Sequence, residues 1–330
     1  MPLLTFTDRG IYCAQANVYI DPWKKVDFAL ITHAHSDHCR PGSKRYLATA
    51  LTKPILEHRL GKKYQIQAIE YGNNIYINGV KISFHPAGHI IGSAQIRLEY
   101  QGEIWAVSGD YKVENDGLSE AFEPIKCHHF ITESTFGLPI YQWRPQHLVF
   151  NEINQWWSNT AAEQKISLMS AYSLGKAQRL IYHLNDSIGP IYLHRAVKPI
   201  HDLFRTHGVP LPDYPEFVEE QAHKIEPGAM IVGPTSIAEA NWTQKVKGIE
   251  IASASGWMQI RRTRRSRSVD RGFVLSDHAD WSGLLEAIKA TKAENIYVTH
   301  GYTKEFSRYL NENGWIANIV STEFSAEDND

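Results

Sequence analysis

VDFALITHAHSDHC, residues 26–39, is the stretch whose reading decides the fold. Its first half is a nearly continuous apolar run, as expected of a strand buried on both faces. Its second half places His33, His35, Asp37 and His38 within six residues, where that strand ends. Side chains two apart on an extended chain point the same way, so His33 and His35 can grip one ion together. Asp37 and His38 fall where the chain turns, and they can face a second ion close by. Imidazole and carboxylate without thiolate suit Zn²⁺, and Mn²⁺ or Fe are compatible.

Three further residues occupy the same kind of position. His89 lies in HPAGHIIGS (85–93), Asp110 in AVSGDYK (106–112) and His300 in YVTHGY (297–302). Each follows an apolar strand pattern and is flanked by glycine, which permits close approach of backbone and ion. With the first cluster they complete a seven-residue, two-metal set. Such sets activate water and clamp a phosphoryl or acyl centre.

The rest of the chain is expected to be a soluble, globular protein of about two domains. It has 330 residues, 43% hydrophobic and 21% charged, which excludes a disordered chain. No apolar run reaches the ~18 residues of a spanning helix, and MPLLTFTDRG shows no secretory pattern. The three cysteines, Cys13, Cys39 and Cys127, are scattered. They form neither a disulfide framework nor a CxxC site, and they fit a reducing cytoplasm. A net charge of −2 argues against a general nucleic-acid coat protein, but residues 261–271, RRTRRSRSVDR, hold six arginines and one aspartate. That net +5 leaves −7 on the remainder and suits a local polyanion contact.

Strand signals fill the first ~135 residues: IYINGVKISFH (75–85) around Asn78-Gly79, IRLEYQGEIWAVSG (96–109) around Gly102, and HFITES (129–134). The texture then changes. HLVFNEINQWWSN (147–159) has helical spacing, and strand–helix alternation follows from 166 to 253. Strand, polar turn and helix recur in 272–290 and 295–310. This is an α/β chain, with boundaries expected near 138 and 266. Pieces 1–138 and 266–330 share the metal set, so 139–265 reads as an insertion.

THAHSDH resembles the HxHxDH signature of the metallo-β-lactamase fold, and His89, Asp110 and His300 match its later metal motifs in order. ITESTFG (131–137), LSDHADW (275–281) and VTHG (298–301) look like the three motifs of the β-CASP nucleases, with Glu133, His278 and His300 as their key residues. The stretch from ASGWM (254–258) to VDRGFVLSDHADW (269–281) further resembles the bacterial ligase-associated DNA exonucleases. The resemblance implies an αββα sandwich with an inserted β-CASP domain. It implies one metal on His33, His35 and His89, another on Asp37, His38 and His300, and Asp110 bridging. Asp37, Asp110, Glu133 and His278 would be the catalytic residues, and two divalent ions, Zn or Mn, the cofactors. The partners implied are DNA, single-stranded or at ends, with an ATP-dependent DNA ligase and a helicase. A histidine at the third motif is closer to the RNA-processing branch than to the Artemis and Apollo group.

On the phosphate side, SAYSLGKAQRL (170–180) puts Ser170, Tyr172, Ser173 and Lys176 before an expected helix, whose N-terminus can take phosphate. ASASGW (252–257) adds Ser253, Ser255 and a stackable Trp257. Arg261, Arg264 and Arg265 would contact the substrate backbone. The leading expectation is a DNA exonuclease of DNA repair. The alternatives are an RNA nuclease of the 3′-end processing type, a small-molecule metallohydrolase, and a non-catalytic scaffold. His278 is left over once the seven ligands are assigned. It is expected to act in proton transfer, held by Glu133.

Overall fold

A computed structural model describes residues 2–243, 246, 248–260 and 269–320. Arg261, Arg264 and Arg265 lie outside the described residues. The chain forms two compact units, one from residues 1–142 with 278 onward, the other from 143–277.

The first unit holds two sheets. The first runs in sequence order: β1 (Leu4–Thr7), β2 (Gly10–Cys13), β3 (Val18–Ile20), β4 (Phe28–Leu30), β5 (Arg45–Thr49) and β6 (Gln65–Ile69). It starts antiparallel and turns parallel from β3 onward. The second sheet begins with a meander of β7 (Asn74–Ile77), β8 (Val80–Pro86), β9 (Ala94–Tyr100) and β10 (Glu103–Val107). It continues in parallel through β11 (His129–Ser134), β18 (Asn295–Gly301) and β19 (Ile316–Ile319). The hairpin turns fall at Asn78-Gly79 and Gln101-Gly102. All four residues have positive φ, as a right-twisted two-residue turn demands.

Side-chain alternation explains the layering. Trp105, Val107 and Ile131 point inward to a core shared with Val18, Leu30 and Leu47 of the first sheet. Ala106 and Phe130 point the other way, with Ile296 and Val298, onto Leu284, Ile288, Phe306 and Leu310. Those last four belong to α5 (Trp281–Thr291) and α6 (Thr303–Glu312). α1 (Thr52–Leu60) lies beside β5 and β6.

The second unit is one parallel sheet, ordered β14 (Glu216–Phe217), β13 (Ile191–His194), β15 (Met230–Gly233), β12 (Ile166–Ser170), β16 (Ile249–Ala254), β17 (Arg271–Phe273). Its helices are α2 (Gln146–Ala162), α3 (Lys176–His183) and α4 (Lys198–Thr206). Val149, Phe150, Ile153, Trp156 and Trp157 of α2 are buried at helical spacing. They pack with Met169, Val232 and Ala252 on one face, while Ile166, Leu168, Ile231 and Trp242 line the other. β17 pairs with β16, so the chain leaves this unit at Asp277 and not near 266.

Candidate metal centre

The residues of the metal set come from the carboxyl ends of strands in the first unit. His33, His35, Asp37 and His38 follow β4, His89 follows β8, Asp110 follows β10, and His300 is the penultimate residue of β18. Local chemistry fixes each turn. The Ser93 hydroxyl accepts from the backbone N–H groups of His89 and Ile90, both at 3.2 Å. Gly109 has φ +56°, and a Cβ there would lie 2.6 Å from Thr32 Oγ1, so only glycine brings Asp110 in beside the His33 turn. His300 itself has φ +51°, a strained backbone for a non-glycine residue and one common at functional sites.

The candidate ligand atoms fall into two groups. Those of His33, His35, His89 and Asp110 lie within 4.8 Å of one another, as do those of Asp37, His38 and His300. Asp110 Oδ2 stands between them, 3.4 Å from His33 Nε2, 3.8 Å from His89 Nε2 and 3.3 Å from His38 Nε2. His35 Nδ1 is 3.1 Å from His89 Nε2, and Asp37 Oδ2 is 3.4 Å from His38 Nε2.

These residues fit divalent metal. Nε2 of His33, Nε2 of His38 and both Asp110 oxygens are buried with no hydrogen-bond partner, a costly arrangement unless an ion answers them. The opposite ring nitrogens are held. Nδ1 of His33 is 3.1 Å from Thr32 Oγ1, Nδ1 of His300 is 3.1 Å from Thr299 Oγ1, and Nδ1 of His38 is 2.7 Å from Asp21 Oδ2. Metal-ligating histidines are characteristically oriented through their second nitrogen in this way. A cavity of about 30 Å³ adjoins the second group, lined by Trp23, Asp37, His38 and His300 among others. That is room for about one water.

The charges are mutually tuned. Burial, then His38, holds the His33 imidazole well below its usual pKa. Burial also disfavours charge on His38, but Asp110 and Asp37 outweigh it and hold that imidazolium well above the usual range. Burial works against ionised Asp110, and His38 reverses this and keeps its carboxyl well below ordinary. His300 is pushed down by burial and by His38.

Glu133 and His278 meet beside this cluster. His278 Nδ1 lies 2.9 and 3.0 Å from the two Glu133 oxygens, and the Tyr111 backbone N–H donates to Glu133 at 2.8 Å. The His278 ring is 4.6 Å from that of His89. Asp110, Glu133 and His278 form a third set with metal-ligand spacing.

Sequence reading missed Asp21. Its carboxylate accepts from the Thr32 N–H at 2.8 Å and the Thr32 hydroxyl at 2.5 Å besides meeting His38. The signal was present, since VYID (18–21) is again a short apolar strand ended by an acid.

In the second unit, Ser170 and Ser253 face each other in register at the carboxyl ends of β12 and β16. Ser170, Ser253 and Ser255 are buried, Tyr172 and Ser173 half-buried. The Ser255 hydroxyl accepts from the Trp257 N–H at 3.2 Å. Gly175 is the N-cap of α3. The Gly175 N–H donates to the Gln178 side chain at 2.7 Å, which in turn donates to the Ser173 carbonyl. Lys176 does not project to solvent: it is 1% exposed and its Nζ is 3.8 Å from Asp277 Oδ2. Its charge is already matched inside the unit.

No known family profile matches the chain. A probable DNA ligase of Opitutus terrae is 29% identical over 95% of this chain and 31% of its own length. Cleavage and polyadenylation specificity factor subunit 3-I of Arabidopsis thaliana is 28% identical over 51% of this chain and 28% of its own. The chain thus spans less than a third of either relative. A crystal structure of a protein of unknown function from Enterococcus faecalis matches 90% of this chain and 79% of its own, with TM-score 0.61 at 10% identity; that likeness concerns the fold. These relatives are consistent with the chain's resemblance, in its motifs, to the β-CASP nucleases of the metallo-β-lactamase fold.

Proposed function

We propose that this chain hydrolyses phosphodiester bonds of DNA from an end, as an exonuclease of DNA repair. The observation that carries the reaction is the shared Asp110 carboxylate, whose Oδ2 lies 3.3 to 3.8 Å from ring nitrogens of both ligand groups. On this reading His33, His35 and His89 hold one divalent ion, Asp37, His38 and His300 the other, and Asp110 both. The ions, zinc or manganese, supply when bound a nucleophilic water at neutral pH and neutralisation of phosphoryl charge.

The chain's own residues do the remaining work. Asp21 and Thr32 keep the His38 and His33 rings in one orientation. Asp37 and Asp110 concentrate negative charge where the cations belong. Glu133 commits His278 Nδ1, so proton delivery to the departing sugar oxygen falls to Nε2 of the protonated ring. The first unit would be the αββα sandwich and the second its β-CASP insertion. Ser170, Tyr172, Ser173, Ser253 and Ser255 stand at the carboxyl ends of parallel strands, where such sheets take ligands. They would contact phosphates, with Arg261, Arg264 and Arg265 adding charge.

DNA is favoured because the relative matched across nearly the whole chain is named a probable DNA ligase. An ATP-dependent DNA ligase and a helicase would be its partners. RNA 3′-end processing is the second reading, supported by the cleavage and polyadenylation relative and by a histidine at position 300. End-labelled single-stranded DNA and RNA of one sequence, incubated with Mn²⁺ or Zn²⁺, separate the two. Stepwise shortening of DNA with RNA intact is expected. RNA cleavage alone selects the second reading, and no hydrolysis of either by metal-loaded protein ends both.

A further inference from the structure

The loop that carries His278 is pinned on both sides of that residue. Within the second unit, the Arg179 guanidinium donates to the Ser276 carbonyl at 2.7 Å and forms an ion pair with the Asp277 carboxylate. Lys176, one helical turn earlier, stands 3.8 Å from Asp277. Lys176, Arg179, Ser276 and Asp277 are all at most 3% exposed. Within the first unit, the Ala279 N–H donates to the Tyr111 carbonyl at 2.7 Å, and the His278 ring meets Glu133. The chain passes from one unit to the other at the peptide bond between Asp277 and His278. Whatever fixes Asp277 therefore fixes the point from which His278 starts. The link invoked is that covalent bond.

A buried ion pair is a poor source of net stability, because desolvation offsets most of the attraction. A planar guanidinium that takes a carbonyl and a carboxylate on consecutive residues is well suited to holding a backbone in place. We infer that Arg179 is a positioning residue for His278, acting through Ser276 and Asp277. This rests on the reading of His278 as the proton donor. A donor displaced by about 1 Å can lose on the order of 100-fold in rate, so a group with no access to substrate still controls turnover.

The test is Arg179→Met and Arg179→Lys, each in the parent and in a His278→Ala background. Arg179→Met leaves Asp277 its Lys176 neighbour, so the unit should still fold. Expected for Arg179→Met are a kcat fall of about 10- to 100-fold, an unchanged KM and unchanged metal content. The two-bond ¹H–¹⁵N signals of the His278 ring should broaden or split. Arg179→Lys should recover part of the rate. In the His278→Ala background neither change should cost anything further. Full turnover in Arg179→Met overturns the proposal, as does an equal fractional loss in both backgrounds. Should Arg179→Met fail to fold, the same readouts on Arg179→Lys decide: a milder kcat loss that vanishes without His278 supports it, and one that persists overturns it. Full turnover in His278→Ala alone is a different result, which removes the proton-donor reading and this proposal with it.

Discussion

In the first unit, His33, His38 and Asp110 are buried with ring nitrogens and carboxylate oxygens that no hydrogen bond answers. In the second, Arg179 and Lys176 are as deeply buried, yet they face a carboxylate of their own unit. Both arrangements carry the desolvation cost of buried charge. The first gathers several imidazoles and carboxylates with metal-ligand spacing around Asp110, and so fits a cation site. The second sets a guanidinium and an ammonium against one carboxylate, and so reads as a brace. Lys176 shows the practical consequence. A lysine before a helix invites a phosphate, but one already facing Asp277 has its charge spoken for.

The comparison breaks most severely at Asp110. Asp110→Asn keeps the shape and removes the charge that faces both ligand groups. Turnover should fall by at least about 100-fold, with loss of bound metal by elemental analysis. A full metal complement with normal turnover would falsify the shared-carboxylate reading.

His278→Ala should keep its metal and lose about 10²–10⁴-fold on an ordinary phosphodiester. A p-nitrophenyl ester, whose leaving group needs no proton, should restore much of the rate. Equal impairment on both substrates, or metal loss, would assign His278 to the third ligand-like set with Asp110 and Glu133 instead.

Asp21→Asn probes the support behind one ligand. Metal affinity, read by chelator competition, should drop about 10- to 100-fold, and excess metal should restore turnover. Unchanged affinity would mean that Thr32 alone orients this side of the site.

The arginine segment should give a smaller effect. Changing Arg264 and Arg265 to Gln should lower the slope of log binding constant against log salt by about 0.7 per lost phosphate contact on single strands. An unchanged slope would make the segment a bystander.

The smallest effect concerns Cys127, a buried thiol outside the metal set. Burial pushes its thiol up to about 12. The unreactive thiol is the folded form, and thiolate appears only as pH approaches that value. Iodoacetamide at pH 8 should spare Cys127 until the protein unfolds. Rapid labelling of native protein would show that the second sheet opens around β11.

The clustering of the candidate metal ligands was legible because these residues obey local rules. Each ends an apolar strand, and glycines flank His89, Asp110 and His300. The hairpins at Asn78-Gly79 and Gln101-Gly102 were readable for a similar reason, since positive φ restricts which residues turn there. Asp21 was not read, although it too ends a strand. Its partner His38 is seventeen residues away, and only the parallel neighbours β3 and β4 bring the two turns together.

Residue identity and strand period by themselves determined that imidazoles and carboxylates gather at strand ends, because both follow from side-chain chemistry and the two-residue repeat. Tertiary structure alone decided which charges meet. Lys176 and Asp277 are 101 positions apart, as Arg179 and Ser276 are 97. No local rule pairs groups at that separation. The pairing arises when β12 and β16 align in one sheet, with β17 beside β16, and set the start of α3 and the chain beyond β17 at the same end.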